Sequence, residues 1–260
     1  MTNAGSPAAD YTAAQLQQAR EQLSLAFRLA ERFGFHEGIC NHFSVALDDG
    51  QEHYLINPYG LHWSEIVPQA LLLIDGDGNI LEGDGELEDS ARFIHVAGHR
   101  ANPRHKALLH THMPYATALT MLQADHGTLQ MAHQTAARFA GRVTYERTFG
   151  GIALDAEEGE RIAQRAQGSP EIDVTFLAAH GVVVGAPSVA QAFDDLYYLE
   201  RACRQQLLAL QTGLPLVELS DDVVQLTAKQ SQQNLAEVAD KHFAALGRVL
   251  AAHPDRVMTF

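Results

Sequence analysis

The chain of 260 residues has little cysteine, a single tryptophan and little positive charge. Its cysteines, Cys40 and Cys203, lie far apart and match no disulfide framework, which fits a reducing compartment, and each reads as a small buried apolar residue. Lysine and arginine total 18 against 32 acidic residues, for a formal net charge of -14. That balance excludes the clustered basic surfaces that bind nucleic acids and anionic membranes. A small anionic substrate is still possible, because one metal ion reverses the local potential. No apolar run approaches the roughly 20 residues of a membrane span. Residues 1–10 lack the basic start and apolar core of a signal peptide, and no linker or solenoid repeat interrupts the sequence. The expectation is a soluble, cytoplasmic protein with one domain over 1–260.

Apolar residues at helical spacing (Leu16, Leu23, Ala26, Phe27, Ala30) predict a helix over 11–33, stopped by Gly34. Short strand-like runs follow at 42–47, 53–57 and 71–74, the last entering a turn at 75–79; their alternation predicts antiparallel pairing. A helix over 89–100 is ended by Asn102-Pro103, and the next strand runs into His110 before a helical segment at 114–123. Beyond it come a helix at 155–167, strands at 174–179 and 182–184, a long helix over 189–211 capped by Ser188, and a helical C-terminal part over 221–250. Helices flanking strands predict an α/β class with layered α/β/α architecture.

The chemistry concentrates in His110-Thr111-His112, at the end of the apolar run Ala107-Leu108-Leu109, and in His180. Residues two apart on a strand face the same way, so His110 and His112 can present two imidazoles to one ion. His180 on a neighbouring strand end completes a three-nitrogen set that leaves coordination positions open, as catalytic metal sites do. Other residues read more blandly. His95 and His99, one helical turn apart, suit packing or support of the site better than a second ligand pair. His36, His42, His62 and His133 are each candidates for a pocket wall, and His105 reads as solvent-facing. Asp194-Asp195 reads as a solvated face or subunit contact and Tyr197-Tyr198 as core. Trp63 is a candidate gate at a pocket entrance.

The segment Ala-Leu-Leu-His-Thr-His-Met-Pro-Tyr-Ala-Thr-Ala-Leu-Thr from Ala107, together with Leu177-Ala178-Ala179-His180-Gly181-Val182-Val183-Val184-Gly185, resembles the class II aldolase/adducin family. So do Gly38-Ile39-Cys40-Asn41-His42-Phe43-Ser44-Val45, Ile56-Asn57-Pro58-Tyr59-Gly60-Leu61 and Asp77-Gly78-Asn79-Ile80-Leu81-Glu82-Gly83, so that the likeness spans about 20–212. The resemblance implies a three-layer α/β/α sandwich on a mostly antiparallel sheet. It also implies a divalent metal held by His110, His112 and His180, and a homotetramer with sites at subunit interfaces.

Departures from the family pattern shape the functional reading. Its aldolases carry a catalytic glutamate where this chain has Ala91, and Glu88 or Asp89 face elsewhere on a helical wheel. Their phosphate-binding loops correspond here to Ile39, Asn41 and His42, to Tyr59-Gly60 and to Asp89-Ser90, which offer bulk and a carboxylate where a phosphate wants hydroxyls and positive charge. Asn41, His42, Gly60 and Ser90 are therefore expected to bind an unphosphorylated substrate. The expected activity is a metal-dependent lyase acting on a small keto or hydroxy acid, by decarboxylation or retro-aldol cleavage through a metal-stabilised enolate. Tyr115 or Tyr59 is expected to donate the proton. Zinc is the first choice of metal, and Mn, Fe, Co or Ni also suit imidazole. The alternatives are a non-haem Fe(II) oxygenase of an α-keto acid on the same histidines and a non-catalytic adducin-like scaffold.

Overall fold

The computed structural model describes residues 11–151, 159, 161–162, 164–165 and 169–258. Helix α1 (Ala13–Arg32) starts at Thr12, whose hydroxyl caps Gln15 while the Gln15 side chain reaches back, a capping box that satisfies two orphan helix donors. The strands are β1 (His42–Ala46), β2 (His53–Ile56), β3 (Leu72–Asp75), β4 (Ile80–Glu82), β5 (Ala107–Thr111), β6 (Val143–Glu146), β7 (Val174–Leu177) and β8 (Gly181–Ala186). Between and after them lie helices α2 (Asp89–Ala101), α3 (Pro114–Thr120), α4 (Gln134–Ala137), α5 (Val189–Leu210), α6 (Asp221–Gln232) and α7 (Leu235–Ala252). The expected C-terminal helical stretch is thus two helices, divided at Asn234, which sits at φ 59. The helix expected over 155–167 and the segment 1–10 lie, apart from five positions of the former, outside the described residues.

Among the described residues, eight strands join one sheet in the order β4-β3-β2-β1-β5-β8-β7-β6. Every pairing is antiparallel except β6 with β7, so the sheet is mixed, mostly antiparallel with one parallel pair. Period-two alternation sorts the strands' side chains to two faces. Phe43, Val45, Leu55, Leu73, Leu109 and Val184 pack with Phe27 of α1 and Phe193 and Leu196 of α5. On the other face Ala46, Tyr54, Ile56, Leu72 and Ile74 pack with Ala91 and Val96 of α2. Trp63 is fully buried in the first of these clusters, its ring 4.7 Å from that of Phe43 and 5.0 Å from that of Phe27. It is a core residue and not the gate that its neighbour His62 hinted at.

Among the described residues no helix is long and apolar enough to cross a membrane.

Candidate metal centre

Strand β5 carries His110 with its side chain on the α2 face and ends at Thr111, so His112 lies in the short link before Pro114 opens α3. The tight turn between β7 and β8 delivers His180. Its Ala179 sits at φ 51, a left-handed conformation that costs a non-glycine residue of order 1–2 kcal/mol. Gly181 lets the two ends approach: a Cβ there would lie 2.5 Å from the Thr111 carbonyl oxygen and 2.9 Å from the His112 ring. These devices bring one ring nitrogen from each of His110, His112 and His180 within 4.8 Å of one another.

The rings are held by their far nitrogens. His110 Nδ1 donates to the Val182 carbonyl at 3.0 Å, and Glu37 holds His112 Nδ1. That leaves His112 Nε2 buried without a hydrogen-bond partner and pointed toward the other two rings. An orphaned imidazole nitrogen converging with two others is what a divalent ion with nitrogen preference needs, and a carboxylate behind a ligating ring is a common support for it. Burial, and then the neighbouring rings of His180, His42 and His112, hold His110 well below the usual histidine range, so it is neutral and ready to ligate.

The three histidines border a cavity of about 710 Å³ whose wall includes Asn41, His42, Glu88, Ser90, Thr117, Met121 and Phe149. Asn41 adopts φ 77, which asparagine tolerates, and its Oδ1 accepts from the His112 backbone N–H at 3.3 Å. Its Nδ2 is thereby left as a buried donor with no partner beside the histidines. Ser90 Oγ donates to Glu88 Oε1 at 2.9 Å.

The expected site residues thus separate into two groups. Asn41, His42, Ser90 and the three histidines meet at this cavity; Gly60, Tyr59 and Tyr115 are not on its wall. Helix α3 turns Pro114, Thr117, Ala118 and Met121 toward the cavity, the i, i+3, i+4, i+7 face. Tyr115 falls off that face and packs on the main core beneath the Arg204 guanidinium. Its backbone N–H and that of Ala116 donate to Glu200, both at 2.8 Å, and burial pushes that carboxyl up to about 7. Tyr59 is exposed on its loop.

Several sequence expectations are corrected. Glu88 reaches the cavity because it is the extended N-cap of α2 and not a helical residue, so helical-wheel angles do not apply to it. Cys40 is exposed and on the cavity wall, with partial burial and then Glu88 and Glu37 raising its thiol pKa. His105 is buried against Asp173 at 3.0 Å and not solvent-facing. Asp194 and Asp195 are 1% and 0% exposed and ion-paired with Arg138, so they form no solvated face. Glu37 and Phe149 are cavity residues that sequence reading missed, and Glu88 is one that it set aside. Glu37 precedes the recognisable Gly38–Val45 motif by one residue, which was the available signal.

The sequence pattern of the Class II Aldolase and Adducin N-terminal domain matches residues 21–207. The chain is 34% identical over 202 residues to an adducin-related protein of Schizosaccharomyces pombe, covering 75% of this chain but only 60% of that protein. It is 30% identical over 230 residues to the decarboxylase NovR of Streptomyces niveus, covering 86% of this chain and 83% of that one. Among solved structures, an aldolase II superfamily protein from Pseudomonas syringae superposes with a TM-score of 0.83 at 31% identity, over 96% of this chain and 98% of that one. With three histidines converging at the strand ends and this likeness running through most of its length, the chain belongs to the class II aldolase and adducin family.

Proposed function

We propose that the protein is a metal-dependent carbon–carbon lyase acting on a small unphosphorylated keto or hydroxy acid, by decarboxylation or retro-aldol cleavage. The observation that carries this reading is the convergence of His110, His112 and His180 on one point of a large cavity, with His112 Nε2 unpartnered. These three nitrogens suit Zn, with Mn, Fe, Co and Ni also compatible. A divalent ion bound there supplies Lewis-acid polarisation of a substrate oxygen. The other roles fall to the chain. Glu37 fixes the His112 ring, and the free Asn41 Nδ2–H donates to the substrate carboxylate. Glu88, hydrogen-bonded by Ser90, carries the proton that Ala91 cannot, in place of Tyr115 or Tyr59. No lysine or arginine lies among the described wall residues, which disfavours a phosphorylated substrate. The exposed apolar side chains Met121 and Phe149 at the rim fit coverage by another subunit, in keeping with a homotetramer.

Metal content and turnover of purified protein test the reading, with His112→Ala as control. About one Zn, Mn or Co per chain, lost in the variant together with keto- or hydroxy-acid cleavage while circular dichroism is unchanged, is the expected result. Iron with Fe(II)-dependent oxygen uptake supports the oxygenase instead. Absence of metal after reconstitution with each ion leaves the scaffold.

A further inference from the structure

Behind the three histidines, His42, Ser44, His95 and His99 are all buried and contain no carboxylate among them. They form a hydrogen-bonded row in which the protons have one arrangement. His99 Nδ1 lies 2.7 Å from the His105 carbonyl oxygen, which can only accept, so that nitrogen carries the hydrogen. All four side chains are buried and no carboxylate faces the row, so an uncompensated charge there is costly and the rings stay neutral. His99 Nε2 is therefore bare and accepts from Ser44 Oγ at 2.7 Å. The serine has then spent its one hydrogen, so His95 Nδ1–H donates to it. His95 Nε2 in turn is bare and accepts from His42 Nδ1–H at 2.7 Å. The row ends at His42 Nε2, a lone pair with no partner among the described residues. His42 stands opposite His110 in the sheet register, with ring centroids 4.9 Å apart, on the wall of the cavity.

Three side chains and one carbonyl thus prevent His42 from switching its tautomer to suit a ligand. Resting on the lyase reading above, we propose that His42 is a specificity-determining residue: its Nε2 accepts a hydrogen bond from a substrate hydroxyl, so the site selects hydroxy acids over keto acids of the same skeleton. The hydroxyl of a 2-hydroxy acid offers the donor that His42 lacks. The corresponding ketone sets lone pair against lone pair. Asn41 Nδ2, the free donor nearby, is the matching partner for the carboxylate.

Two measurements test this. Long-range ¹H–¹⁵N correlation on metal-free, ¹⁵N-histidine-labelled protein reads the tautomer directly, with the His42 signals assigned by their loss in His42→Phe. The expected spectrum has His42 Nδ1 protonated and Nε2 bare; a proton on Nε2 overturns the proposal. Calorimetric titration of the zinc-loaded chain with lactate and with pyruvate is expected to favour lactate by about tenfold, the scale of one satisfied against one unsatisfied buried acceptor. That preference is expected to vanish in His42→Phe with zinc content unchanged. Ser44→Ala, which cuts the row without touching the cavity, is expected to give mixed His42 tautomers and a reduced preference. Zinc uptake with equal affinities, or loss of zinc in His42→Phe, overturns the assignment of His42 alone. A wild-type chain that takes up no divalent ion overturns the lyase reading itself.

Discussion

Two buried polar clusters in this protein solve the same problem in opposite ways. Beside the three converging histidines, His42, Ser44, His95 and His99 are neutral and satisfied only by hydrogen bonds among themselves and to one carbonyl. Under α5, Arg138 and Arg142 are charged and face Asp173, Asp194 and Asp195, with His242 Nδ1 2.7 Å from Asp194. Burial works against the charge on Arg142, but Asp195 and Asp173 overcome it and raise its pKa. Burial likewise opposes ionisation of Asp194, and the His242 hydrogen bond and Arg138 outweigh it, so that carboxyl lies below the usual range. The ion-pair cluster ties α5 to β7, α7 and the segment between α4 and β6. The imidazole row aims one lone pair at a cavity. With Arg104 also on Asp173, the charged cluster sets three guanidinium groups against three carboxylates and joins elements of the fold, whereas a directional neutral row passes its polarity to its last member.

The largest expected effect comes from breaking the charged cluster. Asp195→Ala leaves Arg142 and Arg138 short of a buried counter-ion and should cost about 3–5 kcal/mol, read as a lower urea midpoint at unchanged slope. A loss below about 1 kcal/mol would mean that water reaches these groups and that the clusters differ less than their burial implies.

Acid separates the two clusters next. His95 and His99 have folded pKa values lowered from 6.5 by burial, His99 to about 3. Between these values the unfolded chain binds more protons, so stability rises with pH there and is lost as pH falls below 6.5. Each ring contributes a slope of about 1.4 kcal/mol per pH unit. Asp173 and Asp194, lowered from 3.8, contribute stability above that value and lose it only at lower pH. Urea midpoints taken from pH 7 to 5 should therefore fall, and His99→Phe should reduce the slope by about one proton.

A smaller change is expected from Ser44→Ala, which strips a partner from both His95 and His99. It should cost about 1–3 kcal/mol, seen as a lower melting temperature. The least effect belongs to the surface: Glu52→Gln removes the 3.0 Å ion pair to the half-exposed Arg100 and should change stability by under about 1 kcal/mol, vanishing at high salt.

Much of the fold was legible because local pattern and burial agree in it. Helix α1 starts two residues inside its expected bounds and ends one residue short of them, and β1, β2 and α2 start where the sequence places them. The three histidines were legible because the His110-Thr111-His112 motif stands at a strand end and His180 in the turn before the next strand, although β5 itself stops at Thr111 and only His110 is on it. The misreadings share a cause. His105 beside Lys106 and the pair Asp194-Asp195 look solvated by residue type, yet each is buried by partners distant in the chain: Asp173 for His105, and Arg138 and Arg142 for the aspartates. Tyr115 looked aimed at the site by its spacing from His112, but Pro114 starts a helix between them and rotates it toward the core.

The sequence by itself determined the class of fold, the strand that carries His110 and the residue types able to hold a metal. These depend on periodicities of two and 3.6 and on side-chain chemistry, which are local properties. Tertiary structure alone decided that Glu37 stands behind His112, that Glu88 and not Ala91 faces the cavity, and that His42 ends a row of fixed hydrogen bonds. Each of those outcomes joins residues dozens of positions apart, and the direction of a hydrogen bond is settled only once all its buried neighbours are in place.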